Sequence, residues 1–356
     1  MKKIISMILA LAMVLALAGC AGTTVVVNNY NYYGTDATET ATPAPAETEA
    51  TEVTEPVVAE GAVRTGLAIV TGLGTVDATA QESGTADFSI TLAAILVDEN
   101  DVILDCSIDS IGHKFTFDTT GAITSDVAAD VLTKNELGDN YNMKTYGGAI
   151  AEWYEQVDAF EAYCIGKTIS EIENGALTED GYAADADLAT SATINLADYV
   201  NALISAYNNA QVLGAEAGDK LVLSCTTSQA DAAQGNAQLN VDAVALTTNE
   251  GGVITSCQID SLQGKATIDE TGAVTDNNTA SKNTLGFDYN MVTYGGATYE
   301  WFEQAANFAS YITGKTAAEV NGIAIDEATK PADADLATSV TISIIGFKNL
   351  IAKALG

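Results

Sequence analysis

Residues 137–172 read LGDNYNMKTYGGAIAEWYEQVDAFEAYCIGKTISEI, and residues 285–320 read LGFDYNMVTYGGATYEWFEQAANFASYITGKTAAEV. A shorter echo follows each block, DADLATSATI at 185–194 and DADLATSVTI at 333–342. Trp153 and Trp301 lie 148 positions apart (301 minus 153), and Lys134/Lys282, Gly166/Gly314 and Thr193/Thr341 keep that spacing. Solenoid repeats usually run about 20–50 residues, so a period this long describes two tandem copies of one domain. Working outward, the copies occupy residues 63–210 and 211–356. Each is long enough to bury a core of its own.

Upstream of the block each copy alternates with the period of a strand. DFSITLAAIL (87–96) and AQLNVDAVAL (237–246) show it, followed by turns at DEND (98–101) and TNEGG (248–252). VILDCSID (102–109) and VITSCQID (253–260) complete a β-hairpin in each copy. KFTFD (114–118) and KATID (265–269) read as a third, short strand, and LAIVTGL (67–73) and KLVLSC (220–225) as an earlier one. From Gly148 the period changes to that of a helix, with Ile150, Trp153, Val157, Phe160 and Cys164 on one face. Gly166 and Gly314 stop that helix as C′ residues, and Thr168-Ile-Ser-Glu171 and Thr316-Ala-Ala-Glu319 are capping boxes for a short second one. A last helix runs through YVNALISAY (199–207) and FKNLIAKAL (347–355). Four strands and then three helices predict an α+β fold, two tandem homologous domains each with helices packed on one face of an antiparallel sheet.

The N-terminal residues 1–20 are an address. Lys2 and Lys3 precede an apolar run, Ile4 to Leu17, shorter than the roughly 20 residues a spanning helix needs. The run ends in Leu17-Ala18-Gly19-Cys20, which resembles the lipobox of bacterial lipoproteins. That resemblance implies cleavage before Cys20, lipidation of its thiol, and a chain anchored to the cell membrane on its extracytoplasmic face. Residues 21–62, rich in Thr, Ala, Pro and acids without apolar period, read as a solvated tether.

The formal net charge of −34 makes nucleic acid and anionic lipid surfaces poor partners. Hydrolytic and metal chemistry find little support. The only histidine, His113, has Gly264 as its counterpart, and neither a GxSxG elbow nor a Walker loop is present. The GKT at 166–168 and 314–316 reads as a helix stop and start. Asp185/Asp187 and Asp333/Asp335 supply too few oxygens for Ca²⁺ and read as capping or preceding the last helix. Cys106 and Cys257 occupy matching positions, while Cys164 is exchanged for Ile312 as a buried apolar group would be. Disulfides Cys106–Cys164 and Cys225–Cys257 stay open alternatives outside the cytoplasm. These features point to a binding or electron-transfer protein rather than an enzyme.

Candidate binding residues come from what the chain carries twice. Lys134 and Lys282 are retained in a chain with only 14 basic residues, either to meet a phosphate or to relieve local repulsion. The YNMxTYGG loop sets Tyr146 and Tyr294 beside paired glycines, where a flat ring can stack and approach backbone. Thr190-Ser-Ala-Thr193-Ile-Asn and Thr338-Ser-Val-Thr341-Ile-Ser precede the last helix, whose N–H groups favour an anion.

This last element resembles the Asp…Ser-Gly-Ala-Thr-x-Thr-Ser motif of bacterial FMN-binding domains. The glycine is replaced by Ser191 or Ser339, and the alanine by Val340 in the second copy. The resemblance implies FMN as cofactor, joined through a phosphoester to Thr193 and Thr341 by a flavin transferase. It further implies a membrane electron donor and extracellular electron transfer by two flavins on a tether. In that reading Lys134 and Lys282 offset the phosphate charge, and Tyr146 and Tyr294 lie against the ring. The alternative is a surface or solute-binding lipoprotein without a redox cofactor.

Overall fold

The computed structural model of the protein describes residues 60–356; the leader, the lipobox with Cys20 and the tether up to residue 59 lie outside the described residues. In chain order the first half contains β1 (Arg64–Val76), β2 (Gly84–Val97), β3 (Ile103–Phe117), α1 (Lys134–Leu137), α2 (Met143–Gly147), α3 (Trp153–Cys164), α4 (Ile169–Gly175), α5 (Leu188–Ser191), α6 (Ala197–Asn208) and β4 (Gln211–Val212). The second contains β5 (Lys220–Ser228), β6 (Asn236–Thr248), β7 (Ile254–Ile268), β8 (Val274–Asn278), α7 (Lys282–Leu285), α8 (Trp301–Ile312), α9 (Ala317–Asn321), α10 (Ala334–Ala337) and α11 (Ile345–Leu355). The fold is α+β. Two antiparallel four-stranded sheets run β3-β2-β1-β4 and β5-β6-β7-β8, each with helices on its outer face.

The other face of each sheet lies on its counterpart. Phe88, Ile90, Leu92, Phe115 and Phe117 from the first sheet share one core with Leu239, Val241, Ala243, Leu262 and Ile268 from the second. The outer faces form two further cores, one around Trp153, Phe160 and Leu203, the other around Trp301, Phe308 and Leu350. The result is four layers, helices, sheet, sheet, helices. β1 lies against β7 and β3 against β5, so equivalent strands exchange places across an approximate twofold axis. Burial on both faces explains why residues 90–97 of β2 are all buried and do not alternate with polar residues. The halves interlock by size as well. A Cβ on Gly264 would sit 3.1 Å from the Phe88 ring, so the glycine that stands where the first copy has His113 makes room for the partner sheet.

Three local expectations need correction. KFTFD and KATID are not separate strands. They are the ends of β3 and β7, which pair with β2 and β6 without a break through Gly112 and Gly264. The first half has only three strands before its helices. Its fourth, β4, comes after them and pairs with Arg64 and Thr65 of β1, whereas β8 follows β7 directly. The long helices start at Trp153 and Trp301 rather than at the preceding glycines. Glu152 and Glu300 are their N-caps, and Gly148 and Gly296 take positive φ of 64° and 67°. Gly166 and Gly314 do follow the C-caps at φ of 82° and 85°, and both Thr–Glu capping boxes form.

Candidate functional site

The retained YNMxTYGG segment, expected as a loop but carrying the short helix α2 in the first half, meets the long helix and the TSxTI segment around two buried polar side chains in each half. Glu152 accepts the N–H groups of Met143 at 2.7 Å and Lys144 at 3.1 Å; Glu300 accepts those of Met291 and Val292 at 2.7 and 3.0 Å. One helical turn later, the Gln156 Oε1 accepts both the N–H of Thr193, at 2.8 Å, and its hydroxyl, at 3.1 Å. Its Nε2 donates to Ala151 O at 3.0 Å and faces the Met143 sulfur at 3.7 Å. Gln304 repeats this with Thr341 at 2.8 and 3.2 Å, Tyr299 O at 2.9 Å and the Met291 sulfur at 3.8 Å. Both glutamines are fully buried. Each ties three segments together, and neither is singled out by the sequence reading. The available signal was the doubled EWxEQ, which places two polar residues one turn apart on a buried helix face.

The sequence-predicted residues are only partly brought together. Thr193 and Thr341 sit on this brace. Lys134 lies against aromatic rings. Its Nζ lies 5.2 Å from the Tyr141 ring centroid and 5.0 Å from that of Trp153; Lys282 lies 5.2 and 4.7 Å from Tyr289 and Trp301. Burial lowers both lysine pKa values, while Asp109 and Asp198, or Asp242 and Asp260, pull them back up. An ammonium held between two ring faces is a cation–π arrangement contributing roughly 0.5–2 kcal/mol. Tyr146 and Tyr294 project into solvent, 86% and 85% exposed, beyond a left-handed turn at Asn142 and Asn290. Ser191 is exposed at the end of α5, and the Ser339 N–H is used by Leu336 O at 3.1 Å. Asp185 and Asp333 precede the last helices, and their carboxylates accept at the starts of α5 and α10: Asp185 from the N–H groups of Asp187 and Leu188, Asp333 from those of Asp335 and Leu336.

These residues do not fit an FMN phosphoester. An esterified Thr oxygen has no proton to donate, so it would face the Gln156 or Gln304 oxygen as acceptor against acceptor. Flipping the amide would set its NH₂ against the Thr N–H and its oxygen against the carbonyl of Ala151 or Tyr299. The N–H of each Thr is also already spent, so it offers nothing to a phosphate.

A cavity of about 230 Å³ opens elsewhere, at the seam between the halves. Its walls include Ile69 and Thr71 from the edge of β1, Ser205 and Asn209 from α6, and Asp260 and Ser281 from the second half. Asp260 is 3% exposed and accepts the N–H groups of Ser261 at 2.7 Å and Asn283 at 3.0 Å. Burial pushes its pKa up to about 6, with the Ser281 hydroxyl, those N–H groups and the Lys282 charge holding it back. The Thr71 hydroxyl is buried without a hydrogen-bond partner.

Among the described residues Cys106, Cys164, Cys225 and Cys257 are free thiols, all buried. Cys106 and Cys164 are neighbours, and the Cys164 thiol together with burial pushes the Cys106 pKa well up. Cys225 and Cys257 face opposite sides of the second sheet, the first in the shared core and the second under α8, so the sheet separates them and they cannot pair. His113 packs edge-on to Phe115 at 4.5 Å, and burial lowers its pKa. Among the described residues no group of three or more His, Cys, Asp or Glu could hold a metal ion, and no helix is long and apolar enough to cross a membrane. No protein-family model, curated protein or solved structure matches the chain.

Proposed function

We propose that the protein is a lipid-anchored, extracytoplasmic solute-binding protein without a resident redox cofactor. The observation that carries this is the seam cavity: concave, lined by polar and apolar groups in near-equal measure, with a buried carboxylate in its wall. The doubled YNMxTYGG and TSxTI segments serve as internal braces, because their hydrogen-bonding groups are committed to Glu152, Gln156, Glu300 and Gln304. The acidic surface and the tether suit a chain held in water outside the membrane, and Cys20 is its anchor in this reading.

Two measurements test it. The chain co-expressed with a flavin transferase should show no flavin absorbance and no FMN mass at Thr193 or Thr341; a yellow protein carrying either mass restores the electron-carrier reading. A panel of small amines, carboxylic acids and polyols should include one class that shifts the amide resonances of residues 68–71 and 279–284 saturably. If every class leaves those amides unmoved, the cavity is not a solute site.

A further inference from the structure

The approximate twofold relates the seam cavity to an equivalent place on the other side of the molecule, and there the space is filled. Ser205 corresponds to Lys353 and Thr284 to Glu136, both at the repeat spacing of 148 (353 minus 205; 284 minus 136). On the β1 edge, Ile69 pairs with Leu92 and Cys225 with Ala243, which are matching positions of the two central strands, so Ile69 corresponds to Cys225. By the same register Thr71 corresponds to Thr227. In the filled place the Lys353 ammonium donates to the Cys225 carbonyl at 2.6 Å and pairs with Glu136. Beside it the Thr227 hydroxyl donates to Val131 O at 2.6 Å. In the open place a serine replaces the lysine, and the Thr71 hydroxyl is left buried and unpartnered.

Deepening the solute-binding reading on which it rests, we propose that the seam cavity binds a small primary amine whose ammonium takes the place that Lys353 fills in the other half. The Ile69 carbonyl, on the same strand edge as the Leu67 carbonyl that accepts Asn209 Nδ2 at 3.0 Å, stands where Cys225 O receives Lys353. Asp260 supplies the negative charge. A carboxylate has about four acceptor sites, and its two backbone N–H bonds and the Ser281 hydroxyl leave room for one further donor. Lysine beyond its Cα is a four-carbon ammonium, and the cavity of about 230 Å³ holds such a chain with space for water, at roughly 30 Å³ per water. The strongly negative chain favours a cationic over an anionic solute.

The test titrates n-butylammonium chloride into the full chain at pH 7.5 and follows the amides of residues 68–71 and 281. Saturable binding is expected, with n-butanol and butyrate at least tenfold weaker. Asp260→Asn should weaken n-butylammonium about tenfold or more while leaving the fold intact. Ser205→Lys should abolish binding by placing a tethered ammonium in the cavity. In the reverse direction, Lys353→Ser opens the second place and should lower the unfolding temperature, and n-butylammonium, but not n-butanol, should restore it. Butanol binding as well as the amine would overturn the ammonium proposal while leaving a solute site. Binding that survives unchanged in Ser205→Lys would place the amine elsewhere and overturn it too. If the amine fails and another solute class shifts the same amides, only this inference falls; if all fail, the solute-binding reading falls with it.

Discussion

Glu161 shows how far one residue can depart from the repeat that surrounds it. Ala309 occupies its place in the second copy. Its carboxylate accepts the Ile108 N–H at 2.6 Å beneath α3. Burial pushes its pKa from 4.5 to about 8, the Ile108 bond pulls the other way, and Asp158, Asp105 and Asp109 add to the rise. A carboxyl whose pKa is raised by folding binds more protons in the native state, so stability falls as pH climbs from about 4.5 through about 8. Asp260 acts with the same sign at lower pH, up to about 6. Urea unfolding should therefore give a less stable protein at pH 8.5 than at pH 5. Glu161→Gln should flatten that slope, gaining on the order of 2–4 kcal/mol relative to wild type at pH 8.5. An unchanged slope would place the titration elsewhere. Gln304→Ala should cost about 2–4 kcal/mol in the same assay, since it leaves the Thr341 N–H and the Tyr299 carbonyl unpaired in a buried place; a loss below about 0.5 kcal/mol would mean water or a neighbour replaces the brace. The Thr168 and Thr316 boxes were legible because a cap lies within four residues of its partner. Gln156 and Gln304 were not, because each acts on a threonine 37 positions away.

At the scale of elements, α6 and α11 are the same helix docked at different distances. Gly66 of β1 lies so close to α6 that a Cβ would fall 2.0 Å from the Ala206 carbonyl oxygen. Val222 occupies the equivalent position of β5, since Gly66 pairs with Ile95 and Val222 with Leu246, so the second sheet carries a branched side chain where the first carries none. Gly66→Ala should destabilise by about 2–3 kcal/mol, because the helix or strand must move to admit the methyl. Chemical unfolding measures it, and a neutral substitution would show that α6 can lift without loss. The long strands teach a related lesson. SIGHKF and SLQGKA look like interruptions, yet β2 and β6 are long enough to pair across them, and pairing outweighs the local preference for a break.

For the whole molecule, the repeat sets two sheets, but their inner faces close on each other. Residues 60–214 alone would expose Phe88, Ile90, Leu92, Ile111 and Phe115, which are fully buried in the intact chain. So large an apolar face does not stay in water. That fragment should self-associate, and light scattering will show a dimer or larger species. A monodisperse, cooperatively folding monomer would show that the shared core is dispensable.

The sequence by itself determined what depends on near neighbours. Its period marks two copies, its alternation marks strands, its Thr–Glu pairs mark helix starts, and its Gly166 and Gly314 mark helix stops. Tertiary structure alone decided which way the remaining groups turned. It spent the Thr193 and Thr341 donors on buried glutamines, seated Lys134 and Lys282 between aromatic rings, and joined the two sheets face to face. It also left one of two equivalent seams open, since whether Ser205 or Lys353 fills a space depends on a strand edge and a loop distant in sequence. Hydrogen bonds and packing across such separations leave no periodic trace in the chain, because nothing local constrains the residue that will be met.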